Sequence, residues 1–211
     1  MANNSKSRVS AKTLMLVQMA LLTAVIFVLD VTKLGYLPLT PPGVSIMMIP
    51  VAIGAMIWGR KGGTILGLMF GISSMVQCFT GNAFGAFVFS INPLFTVILN
   101  VGVRVFVGFL TGLLFEIFSK IDKTKLWSYG VTACLASVLN SVVYVPMMVI
   151  LFGNSLEFQQ VFGVGEQSEA LGAFLVIVVL VLAVSMIFEA AACTIVGGTT
   201  AKILNKYVNK T

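Results

Sequence analysis

VFSINPLFTVILNVGVRVFVGFLTGLLFEIF, residues 88–118, decides the fold. The run is almost wholly apolar and exceeds the roughly 20 residues a helix needs to cross a bilayer, so it reads as a span that tilts, bends or protrudes. Near its middle stands one charge, Arg104. An ion at that depth needs a partner or a purpose.

Comparable runs lie on both sides of it. Hydrophobic residues make up 58% of the chain and charged residues 9%, and the mean hydropathy is +1.05. These values are far from those of a soluble domain. Hydropathy and Gly/Pro punctuation place helices over about 12–29, 45–58, 62–79, 88–118, 126–151 and 171–203. The chain reads as one all-α integral membrane domain, a six-transmembrane-helix bundle within 211 residues. No room remains for a soluble catalytic or nucleotide-binding domain. The second helix is short and follows Pro38, Pro41 and Pro42.

Basic residues set the expected orientation. Lys6, Arg8 and Lys12, then Arg60 and Lys61, then Lys120, Lys123 and Lys125, and finally Lys202, Lys206 and Lys210 fall on one side, leaving only Lys33 and Arg104 of the 13 Lys and Arg. Both termini are expected in the cytoplasm, with Trp58 and Trp127 as anchors at cytoplasmic helix ends. The net charge of +6 is then a matter of topology and anionic lipid, not of nucleic-acid binding. The first apolar run is too long for a cleaved signal, and no N-terminal Cys follows it to mark lipidation. Cys78, Cys134 and Cys193, odd in number and without CxxC spacing, read as free thiols rather than a disulfide framework or metal site.

With no His and no GxxxxGK[ST], GxSxG or HExxH motif, the usual nucleophilic, zinc and nucleotide-hydrolysing constellations cannot be assembled. The chain is not expected to be an enzyme or to hold a cofactor. Energy for any transport must come from ions or a partner. GRKGG at 59–63 lacks phosphate-loop spacing and reads as a tight cytoplasmic turn.

Polar residues within the spans form stripes. Asn92, Thr96, Asn100 and Arg104 recur at i+4, and the same face continues through Gly108 and Gly112. Ser137, Asn140, Ser141 and Tyr144 form a second stripe, and Ser73, Ser74 and Gln77 a third. In lipid such faces must meet protein or water. They are either interhelical glue or the walls of a polar cavity open to the outside. Arg104 and Glu189, about 16 and 18 residues from the outer ends of their helices, differ in depth by a turn or less. Either they form a structural ion pair, or Arg104 meets an anionic ligand while Glu189 holds the guanidinium. Small residues at four-residue spacing, Ala20 and Ala24, then Gly63, Gly67 and Gly71, then Gly108 and Gly112, suggest close helix packing. Ala20 and Ala24 suit a surface for another membrane subunit.

The first helix with its Ala20-xxx-Ala24 step, the loop GYLPLTPPGVSI (35–46), the run IPVAIGAMIWGRKGGTILGLMFGISS (49–74) and the N-inside layout carry a resemblance. The chain resembles the substrate-binding S component of an energy-coupling-factor (ECF) vitamin transporter, and the pantothenate-type branch is the most similar. The resemblance spans nearly the whole chain and is most specific over 35–74. A departure is Arg60-Lys61, where many members have Gly-Pro.

The resemblance implies a bacterial cell-membrane protein that binds a small vitamin near the outer surface. Residues 31–44, including Tyr36, would form a lid. Ala20 and Ala24 would dock on a transmembrane coupling subunit driven by two cytoplasmic ATPase subunits, and the S component would topple in the membrane to deliver its cargo. The expected substrate-binding residues are Tyr36, Gln77, Asn92, Thr96, Asn100, Arg104, Asn140, Tyr144 and Glu189. Pantothenate is the favoured cargo; pyridoxine-type, folate and riboflavin cargoes stay open, because Tyr36 and Tyr144 could stack on a ring. A ligand-free scaffold subunit and an ion-coupled secondary carrier are the other classes. A carrier usually shows internal repeats, and none stands out between the two halves.

Overall fold

The structure, a computed structural model, describes residues 10–32, 36–37, 44–81, 83–122, 127–161 and 189–208. Among them, Lys12–Val31, Met48–Thr80, Pro93–Ile121 and Trp127–Phe152 are long and apolar enough to cross a membrane. The chain is a multi-pass helical membrane protein.

Helix α1 covers Ala11–Val31. It turns Met19, Leu22, Ile26 and Asp30 inward and leaves Leu16, Val17, Leu21 and Val28 exposed. Two-residue strands β1 (Tyr36–Leu37) and β2 (Val44–Ser45) follow, antiparallel, with Tyr36 opposite Ser45. The rest of the expected lid, 33–35 and 38–43, and the Tyr36 side chain lie outside the described residues.

Helix α2 is traced as Met48–Thr80, interrupted at Gly59, whose φ of 61° and ψ of −146° are not helical. A Cβ on Gly62 would stand 2.3 Å from the Gly54 carbonyl oxygen, and one on Gly63 would stand 3.1 Å from the Ala55 Cβ. In a continuous helix such pairs are about 12 Å apart along the axis. The chain therefore reverses at Gly59, and α2 is two legs, 48–58 and 60–80. This is the turn read from GRKGG, and the first leg, rising about 16 Å, is the expected short helix.

The expected single helix over 88–118 is not continuous. Helix α3 covers Ala83–Ile91, and α4 (Pro93–Val97) opens a new helix after Asn92. Pro93 disfavours helical backbone at the residue before it. Asn92 is extended, at φ −154° and ψ 105°, and its Oδ1 accepts the Leu94 and Phe95 N–H groups at 3.0 and 3.2 Å. The helix then passes through a π-helical turn, Ile98–Gly102, into α5 (Val103–Ile121). Helix α6 spans Trp127–Phe152, and α7 is the short Leu156–Val161. A second π-helical turn, Cys193–Gly198, leads into α8 (Thr199–Val208). Residues 171–188 of the expected last span lie outside the described residues.

Lipid tails are as apolar as Leu, so a membrane bundle is held by close packing and not by desolvation. The Gly63-Gly67-Gly71 stripe lies directly on α5. A Cβ on Gly63 would come within 2.1 Å of the Gly108 carbonyl oxygen, and one on Gly67 within 2.4 Å of that of Arg104. At the Gly59 turn, Arg60 Nε meets Glu116 Oε2 at 3.0 Å, and the Arg60 N–H donates to Glu116 Oε1 at 3.1 Å. Nearby, Trp58 Nε1 donates to Gln18 Oε1 at 2.8 Å, tying α1 to the short leg.

Candidate functional site

At the end of the bundle away from Gly59, a cavity of about 40 Å³ is lined by Ser74, Gln77 and Cys78 of α2, by α3, by Leu99, Asn100 and Arg104, and by Tyr144 of α6. A space of that size suits a few waters, so a vitamin-sized ligand requires the walls to part.

Arg104 dominates the cavity. The Gly67 contact brings α2 and α5 together beside it, and Phe70, one turn further along α2, reaches its guanidinium. Arg104 Cζ lies 4.1 Å from the Phe70 ring centroid and 5.2 Å from that of Tyr144. The residue is 8% exposed, and its Nε and Nη1 are buried with no hydrogen-bond partner among the described residues. Two aromatic rings steady the charge, yet donors left unmatched in low dielectric are costly. An entering carboxylate would satisfy them in a fork geometry.

One turn before Arg104, Asn100 is buried. Its Oδ1 accepts the Tyr144 hydroxyl at 3.4 Å, while its Nδ2 faces Met75 Sδ and Cys78 Sγ at 3.8 and 3.6 Å. The π-helical turn carrying Asn100 is a wide-turn irregularity of the kind often found at functional sites. Gln77 Nε2 donates to Asp30 Oδ1, linking the cavity wall to α1.

The other expected site residues serve differently. Asn92 caps α4, and Thr96, fully buried, donates to the Val88 and Asn92 carbonyls at 3.0 and 2.9 Å. Both hold the helix break that shapes the cavity wall. Asn140 is not part of the cavity lining, although its Oδ1 is buried with no partner among the described residues.

Glu189 is buried and reaches α6. Its Oε2 accepts the Ser137 hydroxyl at 3.1 Å. Ser137 lies seven residues from Tyr144 on α6, about 10 Å along the axis. The helical Arg104 side chain leans toward the N-terminus of its own helix, which carries the guanidinium to Tyr144.

Ala20 and Ala24 are exposed on α1, opposite its buried stripe. Cys78, Cys134 and Cys193 are free. Asp30 and Phe70 were not among the expected site residues, although signals for both exist. Asp30 continues the inward Leu22 and Ile26 series at i+4, and Phe70 precedes Ser73, Ser74 and Gln77 by i+3, i+4 and i+7.

No curated protein matches the chain. The model of the family ECF transporter, substrate-specific component, matches residues 14–198 of the 211. That stretch runs from the start of α1 through the second π-helical turn, and the chain belongs to this family.

Proposed function

We propose that this chain is the S component of a bacterial ECF vitamin importer that captures a small carboxylate-bearing vitamin, pantothenate by preference, with Arg104 as the carboxylate receptor. Membership of the family makes it a transport-specificity subunit and not an enzyme, and implies association with coupling and ATPase subunits and a small-molecule substrate. In our reading six spans cross the plasma membrane with both termini cytoplasmic, the cavity opens outward beneath the 31–44 lid, and Ala20 and Ala24 meet the coupling subunit, which two ATPases drive.

The observation that supports the reading best is the state of Arg104: a buried guanidinium over the Phe70 ring, with Nε and Nη1 unmatched among the described residues, on the wall of a polar cavity. A purely structural arginine would have those donors satisfied by protein. The scaffold reading leaves them unexplained. Asn100, Tyr144 and Gln77 complete a wall suited to a hydroxylated or amide-containing molecule.

Native mass spectrometry of the detergent-purified protein, with a panel of B vitamins, tests the proposal. Retention of pantothenate supports it. Retention of pyridoxine, folate or riboflavin instead would keep the S-component reading and replace the cargo, and no retention across the panel would favour a ligand-free scaffold.

A further inference from the structure

We propose that Asp30 is a positioning residue for the cavity: it fixes the direction of the Gln77 amide and thereby selects ligands that carry a hydroxyl donor as well as a carboxylate. The inference rests on the substrate reading above.

Asp30 occupies the last turn of α1 and is 7% exposed. It takes no part in the cavity wall, yet Gln77, which does, donates its Nε2 hydrogen to Asp30 Oδ1. A carboxylate accepts only, so it takes the NH₂ end of the amide and rejects the carbonyl end. Turning the amide over would set two acceptor oxygens against each other in a poorly solvated place. Gln77 Oε1 is therefore displayed as a fixed acceptor, and no described residue donates to it.

Its neighbours are already committed. Asn100 spends its Oδ1 on the Tyr144 hydroxyl and turns its Nδ2 toward two sulfur atoms. The cavity is thus polarised, with cationic donors on Arg104 and an acceptor on Gln77. A carboxylate answers the first and a hydroxyl the second. A ligand without the hydroxyl leaves Gln77 Oε1 dry and unpaired, a penalty larger than the gain from a single hydrogen bond.

The test compares Asp30→Asn with wild type by calorimetric titration of pantothenate and of its dideoxy analogue, which keeps the carboxylate and amide and lacks both hydroxyls. Asn at position 30 is nearly isosteric but presents either end of an amide, so Gln77 is free to turn. The expected result is at least a tenfold loss of pantothenate affinity with the dideoxy analogue changed less than twofold. If Asp30→Asn does not yield monodisperse protein, Gln77→Met, which removes the acceptor directly, gives the same collapse of discrimination. Equal weakening of both ligands in either variant overturns the role of Asp30 and leaves the substrate reading intact. Wild-type protein that binds no pantothenate overturns the substrate reading and this inference with it.

Discussion

The Arg104 guanidinium carbon lies over the Phe70 ring, 4.1 Å from its centroid. A cation held over a ring leaves N–H donors at the guanidinium edge, and Nε and Nη1 find no partner there among the described residues. By steadying the charge with the Phe70 and Tyr144 rings, the fold keeps the arginine both tolerable in the bundle and available to a ligand.

Edge recognition makes the fork matter as much as the charge. Arg104→Lys keeps a cation but loses the bidentate geometry. Pantothenate affinity should fall at least tenfold by calorimetry, with the protein still monodisperse. An unchanged Kd would mean that a point charge suffices.

Phe70→Leu removes the ring beneath the guanidinium and keeps most of the apolar volume. A cation–π contact of this kind is worth about 0.5–2 kcal/mol, and affinity should drop by that amount in the same titration. A variant that binds like wild type would show that the stacking is incidental.

The glycine contact between α2 and α5 leaves no space for a methyl group. A Cβ on Gly108 would stand 2.2 Å from the Gly63 carbonyl oxygen. Backbone must move to relieve such a clash, so Gly63→Ala or Gly108→Ala should each destabilise by about 1–3 kcal/mol. Thermal unfolding in detergent would report it, with Gly102→Ala as the control, since a Cβ there meets nothing closer than 3.8 Å.

A bulky side chain on the exposed face of α1 separates docking from binding. Ala20→Trp and Ala24→Trp should leave pantothenate affinity within twofold and abolish co-purification with the coupling subunit. Complexes recovered in wild-type yield would remove these residues from the interface.

Much of the bundle was legible because lipid imposes simple rules: long apolar runs and small-residue stripes each have one economical reading. Helix α6 matched its expected ends to within a residue, and Gly59 turned the chain where GRKGG indicated. The break at Asn92 was written in the Asn-Pro pair but was overridden by the apolarity on either side. The site was harder to read because a stripe shows which residues share a face and not what each side chain does there. Asn92 and Thr96 spend their polar groups on backbone, whereas Asn100 and Arg104 reach the cavity. Asp30 looked like a loop residue because it ends an apolar run, and its partner, Gln77, is 47 residues away. Pairings over such distances arise from packing, which local pattern does not encode.

The most direct test of Arg104 as carboxylate receptor is a four-way titration of wild type and Arg104→Ala with pantothenate and with panthenol, its alcohol. Truncating one partner of a buried charge pair costs about 2–5 kcal/mol. The account predicts a loss of that size for pantothenate on wild type against Arg104→Ala, and little change for panthenol. Equal losses for the two ligands, or pantothenate bound to Arg104→Ala with wild-type affinity, would contradict it.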